Sequence, residues 1–220
     1  MRLFAAPLLA LTALLSFGLG TPVRAEDCGN PALSDADSAT MTAVAAKVDA
    51  GLHQQLAAYA FSPESSDPGA VWTNQAVYSS CQTKAVGYSY SAQWQVTAPG
   101  GDPTSDAATI RLYADMNPWL QQAPPSEGSP GLAIYPTPTG AVAAFSQTPD
   151  PGNSNGVFEV RVLVGAWVLG KDENDNPQYH AVPGGFTRPD SANAMLLTVD
   201  GDPATLEAFF KTFDASKLGL

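Results

Sequence analysis

Residues 85–97, AVGYSYSAQWQVT, alternate with a strict period of two. Val86, Tyr88, Tyr90, Ala92, Trp94 and Val96 fall on one side of an extended chain; Gly87, Ser89, Ser91, Gln93, Gln95 and Thr97 fall on the other. Successive side chains of a strand point to opposite faces, so the run predicts a long strand with one buried and one wet face. Parallel sheets are covered on both faces, so such a strand belongs to an antiparallel sheet. Its aromatic row either lines a ligand groove or packs under helices. Large aromatics on the only apolar face favour packing.

A second run, VFEVRVLVGAWVLG at 157–170, has Phe158, Val160, Val162, Val164, Ala166 and Val168 as one apolar row. The opposite row opens with Glu159 and Arg161, spaced for a surface ion pair, then turns apolar at Leu163, Trp167 and Leu169. The first half is therefore expected to expose one face and the second to be covered on both, with Gly165 permitting a bend between them. Shorter strands are expected at 71–79, 109–114, 132–135, 141–146, 178–182 and 194–199. Between them lie Pro-, Gly-, Ser- and Asp-rich loops such as 61–70, 121–130 and 147–156.

The strands are bracketed by helical patterns. Met41, Val44, Val48, Leu52, Leu56 and Tyr59 recur every three or four residues and predict a helix over about 38–60, with Ser34 or Asp37 as its cap. His53 lies half a turn from that stripe and is expected to face solvent. At the other end, Asp202 suits an N-cap and Pro203 the first helical position. Leu206, Phe209, Phe210 and Phe213 then form an apolar stripe that must dock on the sheet. Helix, antiparallel strands, helix is the signature of an α+β fold, a mostly antiparallel twisted sheet with an N-terminal and a C-terminal helix packed on it. The absence of βαβ alternation argues against a doubly wound sheet.

Residues 1–25 read as a cleaved signal peptide. Arg2 is followed by an apolar core over 3–20 and by Val23 and Ala25 at the small-residue positions before Glu26. The expected product is a soluble periplasmic or extracellular chain, a single α+β domain over 26–220, with no membrane insertion after cleavage. Loss of Arg2 and Arg24 leaves eight basic against 21 acidic residues, a net charge of −13. Such a surface repels nucleic acid and anionic lipid. In an oxidising compartment Cys28 and Cys81 are expected to form a disulfide that closes a 54-residue loop, worth roughly 4 kcal/mol in the chain-entropy model.

Catalytic signatures are absent from the sequence. Two His and two expectedly paired Cys make neither a triad nor a zinc site, and no G-x-S-x-G, S-x-x-K, P-loop or dinucleotide pattern occurs. No catalytic residue, metal site or cofactor is expected. The one motif that suggests chemistry is KDENDNPQYH, 171–180. Asp172, Asn174 and Asn176 alternate as in an EF-hand loop, but Pro177 stands where that loop needs Gly, and Pro183 where it needs the bidentate Glu. Asp172-Glu173-Asn174-Asp175-Asn176 resembles the D-x-N-D-N interdomain calcium motif of cadherins, which would imply an ion shared with a following domain. The resemblance covers five residues; Gly170 and Gln178 depart from it, and its acidic partner motifs are missing. The same residue types build a tight hairpin connection, since Asn and Asp tolerate φ > 0 and bond their own backbone. An exposed hairpin turn is the expectation. These readings lead to a non-catalytic binding or interaction module for an unknown protein or small-molecule partner. The alternatives are a hydrolase of unrecognised type and a calcium-stabilised extracellular module.

Overall fold

The computed structural model describes residues 35–62, 73–77, 87–116, 123–124, 131–148, 158–182 and 194–220. Cys28, Cys81, Trp119 and the expected signal peptide lie outside the described residues. Helix α1 (Asp35–Gln55) leads into β1 (Ala60–Phe61), β2 (Thr73–Val77), β3 (Gly87–Thr97) and β4 (Thr109–Met116). Next come β5 (Leu132–Ile134), β6 (Ala141–Gln147), β7 (Phe158–Gly165), β8 (Trp167–Lys171), β9 (Pro177–Ala181) and β10 (Ala194–Gly201). Helix α2 (Pro203–Phe210) and a 3-10 turn at Ala215–Leu218 follow.

The main sheet runs β1-β3-β4-β10-β7-β6-β5, with β2 also on the outer edge of β3, and every pair in it is antiparallel. The fold is α+β, as the alternation of 85–97 required. β10 lies in the middle, joined to β4 on one side and β7 on the other. It connects the strands that precede residue 117 to those that follow residue 131.

Both helices lie on one face. Ala92, Trp94 and Val96 of β3, Ile110, Leu112, Ala114 and Met116 of β4, and Met195, Leu197 and Val199 of β10 form that face, continued by Val160, Val162 and Val164 of β7. Val48 and Leu52 of α1, Leu56 just beyond it, and Leu206 and Phe209 of α2 close over them, as the two stripes demanded. Trp94 is only 2% exposed, so this member of the aromatic row is core. The side chains of Tyr88 and Tyr90 lie outside the described residues. The Asp202 carboxylate accepts from the Ala204 and Thr205 amides at 3.1 Å, capping α2 ahead of Pro203. Asp37 is inside α1 rather than at its cap.

Two expectations need correction. The second half of 157–170 is not covered on both faces. Gly165 adopts φ +83° and the chain bends at Ala166, leaving the sheet as a β8–β9 hairpin in which Val168 and Leu169 are 52% and 59% exposed. An L-residue reaches that φ only at a cost, so glycine permits the departure there. Of residues 166–170 only Trp167 is buried, its indole donating to the Met195 carbonyl at 3.2 Å. Nor is His53 a solvated residue. β1 turns back over the end of α1 and stacks Phe61 on the imidazole, with ring centroids 4.0 Å apart. Nε2 of His53 is buried with no hydrogen-bond partner. Helical periodicity places a residue on its own helix and is blind to a strand that folds back onto it.

One turn before His53, Asp49 is 2% exposed in the core. Trp94 Nε1 donates to its Oδ1 at 2.9 Å, while Oδ2 has no partner. Burial pushes this carboxyl above its ordinary range, opposed by the Trp94 hydrogen bond and the nearby His53. No helix among the described residues is long and apolar enough to cross a membrane.

A candidate functional face on the open side of the sheet

With the helices on one side, every second residue of each strand points to the other. The register arranges these residues in rows. Gln95 of β3, Arg111 of β4, Asp200 of β10, Glu159 of β7 and Gln147 of β6 lie opposite one another in turn. Gln93, Tyr113, Thr198, Arg161 and Phe145 form the next row, and Ser91, Asp115, Leu196, Leu163 and Ala143 the third. The rows grade from charged to apolar along the strands, and also from β3 towards β6.

The apolar corner has its own cover. Ala143, Phe145, Leu163, Ala194 and Leu196 pack with Trp167 and Ala181 of the β8–β9 hairpin, and Tyr179 sits 5.8 Å from Phe145. The hairpin thus forms a partial third layer. Over β3 and β4 no described element covers the polar rows, and Gln93 and Gln95 are exposed. Among the described residues this area is a field of amide, guanidinium, carboxyl and phenol groups, with the two glutamines exposed and Arg111, Tyr113, Asp115 and Asp200 half-buried.

Its charges are unevenly matched. Arg161 Nε meets Glu159 Oε1 at 2.5 Å, the ion pair expected from their spacing, and Arg161 Nη2 reaches Gln147 Oε1 at 3.5 Å. Arg111 turns to Asp106 at 3.6 Å, an exposed contact of the kind worth about 0–1 kcal/mol. Asp200, between the two arginines, forms no ion pair among the described residues, and its Oδ1 is buried without a hydrogen-bond partner. Burial first and the Glu159 charge second raise this carboxyl to about 6, against the pull of Arg111 and Arg161. Burial also raises Asp115, on the third row.

Sequence reasoning placed Glu159 and Arg161 on one wet strand face but gave no role to Arg111, Asp115 or Asp200. Each lies in a short strand, and the pairing of β4 with β10 that sets Arg111 opposite Asp200 and Asp115 opposite Leu196 spans more than 80 residues of chain. The polar alternation of 109–116 and 194–201 was the available signal. It fixes a face and not a row.

The acidic loop lies elsewhere. Asp172–Asn176 join β8 to β9 as an exposed hairpin connection, only Asp172 being half-buried. Asp172 Oδ1 accepts from the Asn174 and Asn176 amides, both at 2.8 Å, and Oδ2 accepts from Asn176 Nδ2 at 3.0 Å. Those hydrogen bonds, led by the Asn176 side chain, hold the Asp172 carboxyl below its usual range. Asp175 takes φ +70° and pairs with Lys171 at 2.7 Å. Both Asp172 oxygens are therefore turned into the turn itself, Oδ1 onto backbone amides and Oδ2 onto the Asn176 side chain, leaving few outward ligands where calcium wants six to eight oxygens. Among the described residues no cluster of three or more His, Cys, Asp or Glu is placed to hold a metal. Thermal melts in EDTA and in millimolar calcium are expected to superimpose. A rise in Tm with calcium would revive the site, because a ligand of the native state must stabilise it.

Comparisons of the chain with protein-family models, with curated proteins and with solved structures found no match.

Proposed function

We propose that the protein is an exported, non-catalytic binding module that holds a protein or small-molecule partner against the open polar face of its sheet. The observation that carries this reading is the asymmetry of the sheet. Two helices seal one face, while the polar rows over β3 and β4 have no cover among the described residues and present Gln93, Gln95, Arg111 and Tyr113 outward. A mixed-charge polar face suits hydrogen-bonded recognition of an extended polar surface better than enclosure of an apolar ligand. Export rests on the signal-like residues 1–25, and with it comes the proposed Cys28–Cys81 disulfide.

The test is site-specific photo-crosslinking in the producing cell. A crosslinking residue at Gln93 or Gln95 is expected to yield an adduct whose mass identifies the partner, and one at Gln54 or Glu207 on the helical side is not. No adduct from the sheet face, or adducts from the helical side alone, would overturn the reading. The hydrolase alternative draws on one observation, the facing carboxyls of Asp200 and Glu159 on adjacent strands. It would require a substrate to reach a carboxyl oxygen that is now buried.

A further inference from the structure

We propose that the charged row across the sheet is a proton-operated switch: on mild acidification Asp200 takes up a proton, and release of that proton draws Arg111 off Asp106 and onto Asp200. The inference rests on the polar face being the binding surface, since it says how that surface would be regulated.

The argument starts from register. Asp200 and Glu159 are directly opposed across β10 and β7, and opposed residues on one face of an antiparallel pair have Cβ atoms about 4.5–5.5 Å apart. Two carboxylates at that separation repel unless a cation or a proton lies between them. The cations are committed elsewhere. Arg161 is held by Glu159 and Gln147, and Arg111 by Asp106. Asp200 is left with a buried oxygen that nothing satisfies. A neutral carboxyl fits that place and a carboxylate does not, because burying an unpaired charge is far costlier than burying a neutral polar group. Burial and the Glu159 charge together raise the group to about 6, the direction this geometry demands.

Among the described residues, the titratable and charged groups that face Asp200 are few. From β4 come Arg111 and, one row along, Tyr113; from β7 come Glu159 and Arg161. Just past its own strand, Asp202 is occupied with the α2 cap. Gln95 and Gln147, at the ends of the row, are uncharged. Of the two guanidiniums, Arg111 is the one free to answer an ionised Asp200. Its contact with Asp106 is long and exposed, whereas Arg161 is held by a short bond to Glu159 and a second contact to Gln147. Arg111 already stands opposite Asp200 in register, so a change of rotamer suffices. The proton passes to and from bulk water. In the protonated state Arg111 lies towards the turn at 106–108; in the ionised state it lies across the middle of the binding face.

Linkage fixes the sign. The folded chain holds this proton more tightly than the unfolded one. Its contribution to stability is therefore fully present below the ordinary carboxylate value of 3.8 and is lost as pH rises through about 6.

The experiment needs no ligand, so its failure is distinct from failure of the crosslinking test. In the full chain labelled with carbon-13 and nitrogen-15, the Asp200 carboxyl carbon and the Arg111 Nε–H are followed from pH 4 to 8. Both are expected to step together near pH 6. In Asp200→Asn the Arg111 step should vanish. In Arg111→Gln the Asp200 midpoint should rise by about half a pH unit or more, because its answering cation is gone, and in Asp106→Asn it should fall. An Asp200 midpoint near 4 would overturn the proposal, as would an Arg111 signal that ignores the Asp200 step or midpoints unmoved by Arg111→Gln. The last two variants bear on exposed contacts, so they test the switch even where Asp200→Asn disturbs folding.

Discussion

Replacing Phe209 with alanine is expected to remove about 3–5 kcal/mol of stability, the range found for large-to-small substitutions of buried aromatics. Phe209 is 1% exposed. Its ring packs edge-on to Phe210 at 4.8 Å and to Tyr59 at 6.2 Å, and stacks on Phe213 at 5.1 Å. It thus contacts the end of α1, its own helix and the segment beyond it. Truncation forfeits transfer energy and leaves a hole that three other rings cannot all move to fill. For a domain whose total stability is about 5–15 kcal/mol, the loss approaches unfolding. Urea titration gives the measurement: the midpoint should collapse while the slope holds. Phe210, only half-buried, should cost clearly less on the same substitution. A Phe209→Ala loss under about 1 kcal/mol would mean that α2 does not close the core as described.

Gly51→Ala is the second large effect, and its interest is the sign. In an exposed helix interior, alanine is better than glycine by about 1 kcal/mol. Gly51 is the exception because α1 presses there against the 3-10 turn at 215–218. A Cβ at this position would collide with the Lys217 carbonyl oxygen and stand 3.0 Å from the Leu218 Cα. Both are backbone atoms and cannot be swung aside. The turn is pinned, with the Asp214 amide donating to Gln55 Oε1 at 2.7 Å and the Ala215 amide to the Thr139 carbonyl at 2.7 Å. Overpacking of this kind costs about 1–3 kcal/mol, enough to outweigh the propensity gain. The expected outcome is a lowered Tm for Gly51→Ala. Ala46→Gly, at an exposed site of the same helix, should lower Tm by the ordinary propensity term alone. A stabilised Gly51→Ala would show that the turn is not seated on the helix.

How much of this was legible follows from the range of each signal. The period-two run 85–97, the Asp202-Pro203 start and the Phe stripe are local patterns, and each yielded its element in place. The hairpin connection at 172–176 was readable because Asn and Asp carry their turn chemistry with them. Gly165 announced a bend, but not its direction. Val168 and Leu169 therefore looked like core, although the chain had already left the sheet. His53 was misplaced because Phe61 arrives from outside the helix. Of the candidate face, Glu159 and Arg161 were visible as neighbours in one strand. Asp200 became significant only when register set it between Arg111 and Glu159, and register between distant strands is written in no short stretch.

The central place of β10 has a kinetic consequence. Among the described residues, the strands before residue 117 and those after residue 131 pair with one another only through residues 194–201, so neither group can bury its inner edge until that late strand inserts between them. Loop-closure entropy must be met before any of these contacts returns free energy, which makes such topologies slow folders, on the millisecond-to-second scale. Until then both inner edges stand open as templates for other chains, and the interval before insertion is the period of greatest aggregation hazard.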